Sequence, residues 1–219
     1  MEIARMIDHT YLKPFGTKQE IDRLLEEAIE HEFKSVCVHP LWVSYCAESL
    51  KKTDVLVCTV VGFPLGASTT STKVFETRDA LKNGAHEIDM VQNIAWAKEG
   101  QFDLIEKEVR AIKEECERRT LKVILETCYL TDEEIRLATE AAVKGGADFV
   151  KTSTGFGTGG AEVGHVRIMK EAAGDKEVKA SGGVKTREDF ENMVEAGATR
   201  IGTSSGVQLV KGETSKEDY

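Results

Sequence analysis

Two lysines sit where chemistry is a better account of them than solvation. Lys151 closes the apolar run of DFVKTSTG, and Lys179 stands in EVKASGGV one strand unit later. A single strand-end lysine ordinarily snorkels to water along its own stem. A second one in the same setting makes the pair a candidate amine nucleophile with a charged neighbour. Two ammonium groups in a partly desolvated pocket disfavour each other's charge, and burial acts in the same direction, so one amine is expected to have a lowered pKa. A neutral amine attacks a carbonyl and forms an imine, the electron sink needed to break or make the adjacent carbon–carbon bond.

The carboxylates fit this chemistry. Asp89 interrupts the apolar stretch HEIDMVQ, where an unpaired carboxylate would be costly, and it is expected to accept or relay a proton. Asp8, in IDHTYL, is the expected orienting carboxylate for Lys179. The alternative is that both lysines pair with Asp8, Asp89 or Glu126 and carry no chemistry. Cys37 reads as a small hydrophobe in its strand. His9 and His39 read as hydrogen-bonded strand-end residues, since no convincing cluster of His and carboxylate ligands accompanies them and no metal is expected.

A second group of residues suits an anion. Gly182 and Gly183 leave backbone N–H groups uncovered, and Ser204 and Ser205 add hydroxyl donors before the chain turns again. Together these can wrap phosphate oxygens.

Something must bring these residues together, and the pattern of elements supplies it. Strands are expected at 7–12, 35–39, 55–63, 86–92, 121–127, 149–151, 177–180 and 200–203. Between them lie helical segments: one opened by Thr17 and Glu20 in a capping box, one through Trp42 to Leu50, one over 70–82, and one over 95–118 with a possible break near Gly100. Further helices are opened by Thr131 with Glu134, run around 163–173, and start at Thr186. Eight strands alternating with helices demand parallel pairing and close into a (β/α)8 barrel, whose chemistry sits at the carboxyl ends of the strands. An open doubly wound sheet is the alternative, weakened because polar, glycine-rich strand ends recur throughout the chain.

Length and charge set the remaining bounds. The 219 residues suit one barrel domain over 1–219, with a short polar tail from Lys211 onward. Lys plus Arg number 29 against 38 Asp plus Glu, a formal charge of -9, and the basic residues form no stripe. Nucleic acid and anionic membranes are therefore poor partners. The five cysteines show neither CxxC spacing nor a secreted framework, so reduced thiols and a cytoplasmic location are expected. No signal pattern opens the chain, and no apolar run approaches the roughly 20 residues that span a bilayer.

The ordered set IDHTYL, SVCVHP, VGFPLGAS, GAHEIDMV, KVILETCYL, DFVKTSTGF, VKASGGVKT and IGTSSG closely resembles the deoxyribose-phosphate aldolase family across essentially the whole chain. That resemblance implies a (β/α)8 fold and Schiff-base chemistry with no cofactor, organic or metallic. It also implies reversible cleavage of 2-deoxyribose 5-phosphate to acetaldehyde and glyceraldehyde 3-phosphate. By motif, Lys151 corresponds to the Schiff-base lysine, Lys179 to its pKa-lowering neighbour and Asp89 to the proton-transfer carboxylate. Asp8, Thr10, Cys37 and Thr154 correspond to positions lining the substrate pocket, and Gly182, Gly183, Lys185, Gly202, Ser204 and Ser205 to the phosphate site. Phe156 departs from members that carry a lysine after TSTG, leaving more of the phosphate to backbone and hydroxyl donors. Tyr219 resembles the terminal tyrosine of some members. Small phosphosugar and aldehyde substrates are the expected partners, and a homo-oligomer, in the form of a dimer, is the expected assembly. Another imine-forming phosphosugar aldolase or transaldolase, and a catalytically silent sugar-phosphate barrel, are the competing functions.

Overall fold

The computed structural model describes residues 3–213, so Tyr219 and the end of the expected polar tail lie outside the described residues. Eight strands pair in sequence order and close, β1 against β8: β1 (Ile7–Tyr11), β2 (Ser35–Val38), β3 (Leu56–Val61), β4 (Glu87–Val91), β5 (Thr120–Ile124), β6 (Phe149–Lys151), β7 (Glu177–Ser181) and β8 (Arg200–Thr203). All of the pairings are parallel, and Asp8 lies opposite Gly202 at the seam. Closure rules out the open sheet. Strands covered on both faces need apolar residues on the outward face as well as a filled interior, and β3, LVCTVV, is buried from its second residue onward.

The helices form the outer ring, most of them laying an apolar stripe on the strands. In α1 (Lys18–Glu30) the stripe is Ile21, Leu24, Leu25 and Ala28. In α5 (Phe102–Cys116) it includes the expected Ile105, Val109 and Ile112. The break near Gly100 is real and separates α4 (Ile94–Lys98) from α5. The ring is completed by α2 (Val43–Leu50), α3 (Thr70–Lys82), α6 (Asp132–Lys144), α7 (Val163–Ala173) and α8 (Arg187–Glu195). The capping box at α6 is reciprocal: Glu134 N donates to Thr131 Oγ1 at 3.3 Å and Thr131 N to Glu134 Oε2 at 2.7 Å.

Two features differ from expectation at places that matter for the site. The fifth strand ends at Ile124 instead of running to 127, because Glu126 takes a left-handed conformation and Thr127–Tyr129 form a 3-10 turn. After β8 the chain forms a further short helix, α9 (Gly206–Lys211), with Ser205 preceding its first residue. Its six residues are too few for a periodic stripe to show.

Candidate active site

The closed register gathers residues that are far apart in sequence. Lys151 and Lys179 are direct partners across β6 and β7, and Asp89 stands opposite Lys122 across β4 and β5. Asp89 Oδ2 accepts from Lys151 Nζ and from Lys179 Nζ, each at 2.8 Å. Its Oδ1 accepts from Lys122 Nζ at 2.8 Å and from the Cys58 thiol at 3.1 Å. Asp8 Oδ1 accepts from Ser35 Oγ and Arg200, both at 2.7 Å. Asp8 Oδ2 lies 2.5 Å from Lys179 Nζ, a contact of charge without the alignment of a hydrogen bond. Glu87 completes the group, 2.6 Å from Lys122 and 3.0 Å from Arg200.

Gly202 makes room for this arrangement, since a Cβ there would lie 2.9 Å from Lys179 Cε. All seven of these charged side chains are buried. Such a cluster is tolerable only because each charge meets an opposite one, and removing one member strands the rest.

The electrostatics assign a charge state to Lys179. Burial alone would discharge Lys179, but Asp8 and then Asp89 outweigh it and hold its pKa above the ordinary lysine value. Lys122 is raised in the same way, with burial opposed by Asp89, Cys58, Glu87 and Asp8. The like-charge argument left open which amine keeps its charge, and the carboxylates between the two keep it on Lys179. That lysine is a fixed cation beside Lys151. Asp89 is itself held well below the usual carboxylate range: burial pushes it up, and Lys122, Lys151 and Lys179 together pull it down further. Asp8 is depressed as well, burial being overcome by Arg200, Lys179 and Lys122.

Of the other expected residues, Thr10 is buried with its hydroxyl donating to Asp8 O at 2.8 Å. Cys37 is fully buried beside Cys58, in register with it, and interaction with the Cys58 side chain, ahead of burial, brings its pKa down. Thr154 lies in the loop after β6, bonded to Glu126. His9 and Glu27 pair at 2.7 Å, and His39 contacts Leu12 O at 2.7 Å. Gly183, Lys185, Gly202, Ser204 and Ser205 line one small recess at the ends of β7 and β8, where Gly183 takes φ +82. Gly182 does not line that recess; its carbonyl accepts from Ala161 N at 2.9 Å. Phe156 meets Phe63 edge-on with ring centroids 5.4 Å apart. A cavity of about 310 Å³ opens beside Thr10, Phe156 and Ser204.

Sequence reasoning passed over Lys122, Glu87, Arg200 and Cys58. A signal was present, since Glu87 and Asp89 are two residues apart and successive side chains on a strand alternate faces, so both had to enter the barrel. Two inward carboxylates on one buried strand require cations from neighbouring strands. The donor atoms of Cys37, Cys58 and Asp89, and those of Asp8, Cys58 and Glu87, lie close enough to share a metal ion. Lysine and arginine cations already occupy those carboxylates.

A (β/α)8 barrel with a buried cluster of lysines and carboxylates, opening at the carboxyl ends of its strands, defines the class of barrel enzymes equipped for amine–carbonyl chemistry. Within that class the chain belongs to the DeoC/LacD family of aldolases, whose description matches residues 3–214. It is 56% identical over 220 residues to a deoxyribose-phosphate aldolase of Staphylococcus carnosus (strain TM300), with 100% of both chains covered. A relative from Exiguobacterium sp. of the same description is 57% identical over 221 residues, again with 100% of both chains covered. Among solved structures, the aldolase QR15 superposes with a TM-score of 0.91 at 41% identity, over 95% of this chain and 94% of that one. The tetrameric deoxyribose phosphate aldolase from Aeropyrum pernix gives 0.87 at 32% identity, over 95% and 89%.

Proposed function

We propose that this protein is a class I aldolase that reversibly cleaves 2-deoxy-D-ribose 5-phosphate to acetaldehyde and D-glyceraldehyde 3-phosphate through an imine on Lys151. The observation that carries the proposal is Asp89 Oδ2 held 2.8 Å from both Lys151 and Lys179 at neighbouring strand ends. Lys151 attacks the sugar C1 carbonyl, water leaves, and a protonated imine forms. The C2–C3 bond then breaks, its electron pair entering the imine to give an enamine, while the C3 hydroxyl loses its proton and becomes the aldehyde of glyceraldehyde 3-phosphate. Protonation of the enamine at C2 and hydrolysis release acetaldehyde. Asp89 accepts and returns the protons of imine formation and enamine protonation, directly or through water, and the C3 proton passes to a second acceptor at the site.

The charge inventory favours this cycle. With Lys151 as the protonated imine, three carboxylates, Asp8, Glu87 and Asp89, face four cations, Lys122, Lys151, Lys179 and Arg200. One positive charge is in excess, and conversion of Lys151 to the neutral enamine removes it. Lys179 keeps its charge throughout. The recess at Gly183, Lys185, Ser204 and Ser205 takes the phosphate, with the carboxyl ends of β7 and β8 beneath it. The five free cysteines suit a reducing, cytoplasmic setting, and the assembly is a homo-oligomer, a dimer by our reading.

Acetaldehyde plus borohydride should leave one ethyl group on the peptide containing Lys151 and abolish activity. Lys151→Arg should lose both rapid labelling and cleavage. Selective labelling of Lys179, or cleavage surviving in the Lys151 variant, would exchange the lysine roles or remove the imine.

A further inference from the structure

Glu126 is drawn into the site by an unusual backbone. Beyond the end of β5 it adopts φ 57, ψ 62, a region sparsely used by residues other than glycine. The turn leaves Glu126 2% exposed and sends its carboxylate to the loop that follows Lys151. There Oε1 accepts from Thr154 N at 3.1 Å, and Oε2 accepts the proton of the Thr154 hydroxyl. Phe156 N donates to Thr154 Oγ1 at 3.0 Å.

A hydroxyl has one proton and two lone pairs. The Thr154 proton goes to Glu126 and one lone pair to Phe156, so a single lone pair remains. Thr154 can only accept. A sugar hydroxyl meeting it must be the donor.

We propose that Glu126 is a positioning residue for carbon–carbon cleavage, holding Thr154 as an acceptor-only contact for the C3 hydroxyl of the sugar. This rests on the function proposed above, in which that hydroxyl loses its proton while C2–C3 breaks. An acceptor at the O–H leaves the oxygen lone pair free to become the carbonyl bond, whereas a donor would compete for it, and the C3 proton passes to Thr154 Oγ1 as the Thr154 proton passes to Glu126. Thr154 lies in the loop that directly follows the imine lysine at the end of β6.

The groups facing the Glu126 carboxyl are Thr154, the Lys151 charge on β6, and Cys128 of the 3-10 turn, whose Sγ is 4.0 Å from Oε1. Burial raises the Glu126 pKa, against the Thr154 hydrogen bonds and the Lys151 charge. Once protonated, Glu126 donates to Thr154 Oγ1 and frees the Thr154 proton to point at the sugar. The contact reverses its polarity.

Glu126→Gln fixes the reversed state without changing the shape, because its amide nitrogen donates to Thr154 Oγ1 while its oxygen accepts from Thr154 N. Two reactions on the intact protein separate the possibilities. One is cleavage of deoxyribose 5-phosphate; the other is exchange of acetaldehyde α-protons with D2O, which uses the same imine and enamine but no sugar hydroxyl. In Glu126→Gln, kcat for cleavage should fall about 10- to 100-fold, the scale of one or two mispaired polar contacts. Exchange should hold within about twofold, and the acid limb of the cleavage profile that belongs to Glu126 should disappear. Equal loss in both reactions would assign Glu126 to loop architecture, and unchanged cleavage or loss of exchange alone would remove the role. If the Gln variant does not fold, Thr154→Val should show the same split and Thr154→Ser should recover most of it; failure of either overturns the proposal. Borohydride labelling of wild-type Lys151 reports independently on the imine, and its absence would bring down the parent function as well.

Discussion

At the level of single residues, the four hydrogen bonds to Asp89 decide what each lysine can do. Lys179 is held charged between Asp8 and Asp89, so Lys179→Leu removes a fixed cation beside Lys151 and also strands carboxylates in the barrel. We expect kcat to fall roughly 10²- to 10⁴-fold, the usual span for loss of a group that governs proton transfer. We also expect a stability loss of about 3–5 kcal/mol from breaking a buried ion cluster. Steady-state rates taken well below the melting temperature separate the two effects. Near-normal rates across neutral pH would reassign Lys179 to structure. Lys122 offers the contrasting case, since it lies deeper and touches Asp89 from the other oxygen. Lys122→Met should lower the melting temperature at least as much as Lys179→Leu while leaving borohydride labelling of Lys151 intact in the folded fraction.

The loops at the strand ends carry the phosphate prediction. Replacing Ser204 with a bulky residue should raise KM for the phosphorylated sugar far more than for the unphosphorylated one, because Ser204 lines the recess with Gly183 and Lys185. Equal impairment of both substrates in steady-state assays would remove the phosphate from this recess. The same comparison on Phe156→Lys asks whether a cation beside the mouth sharpens phosphate preference, and a KM ratio unchanged from wild type would show that it does not.

The elements bearing these loops were largely legible from the sequence. A capping box and an apolar stripe mark α6, and Lys151, Lys179 and Asp89 stand out as charges inside apolar runs. The charged floor of the barrel was harder to see. Lys122 in LKVILET reads as an ordinary strand-edge polar residue until β4 is placed beside it, because burial of a charge becomes visible only with its partner. The end of β5 was missed for a related reason: the left-handed turn at Glu126 is sustained by hydrogen bonds to Thr154, 28 residues away. No local propensity announces it.

Across the whole molecule, the buried network makes stability depend on pH at both extremes. Asp8 and Asp89 have folded pKa values below their unfolded ones, so their stabilisation is present above about pH 4 and is lost as the pH falls below it. Lys122 and Lys179 are raised, so their contribution is complete below about pH 10 and is lost as the pH climbs beyond it. Glu126, raised by burial, works against the acid-side trend as a single group. The melting temperature should therefore form a broad plateau between these limits, and Asp8→Asn should shallow the acid-side fall. An unchanged acid limb in that variant would place the sensitivity elsewhere.

Closure of the barrel at its seam has a consequence for how the molecule is made. Arg200 on β8 meets Asp8 on β1 across 192 residues of chain, and β8 is the last of the eight strands to leave the ribosome. Until it docks, Asp8 and Glu87 lack one of their cations, so the growing chain holds an electrostatic defect where its catalytic centre will be. Refolding from denaturant should accordingly recover helical circular dichroism before it recovers aldol cleavage, and the lag between them times the arrival of β8. The last strand admitted to the barrel is also the one that completes its ion network.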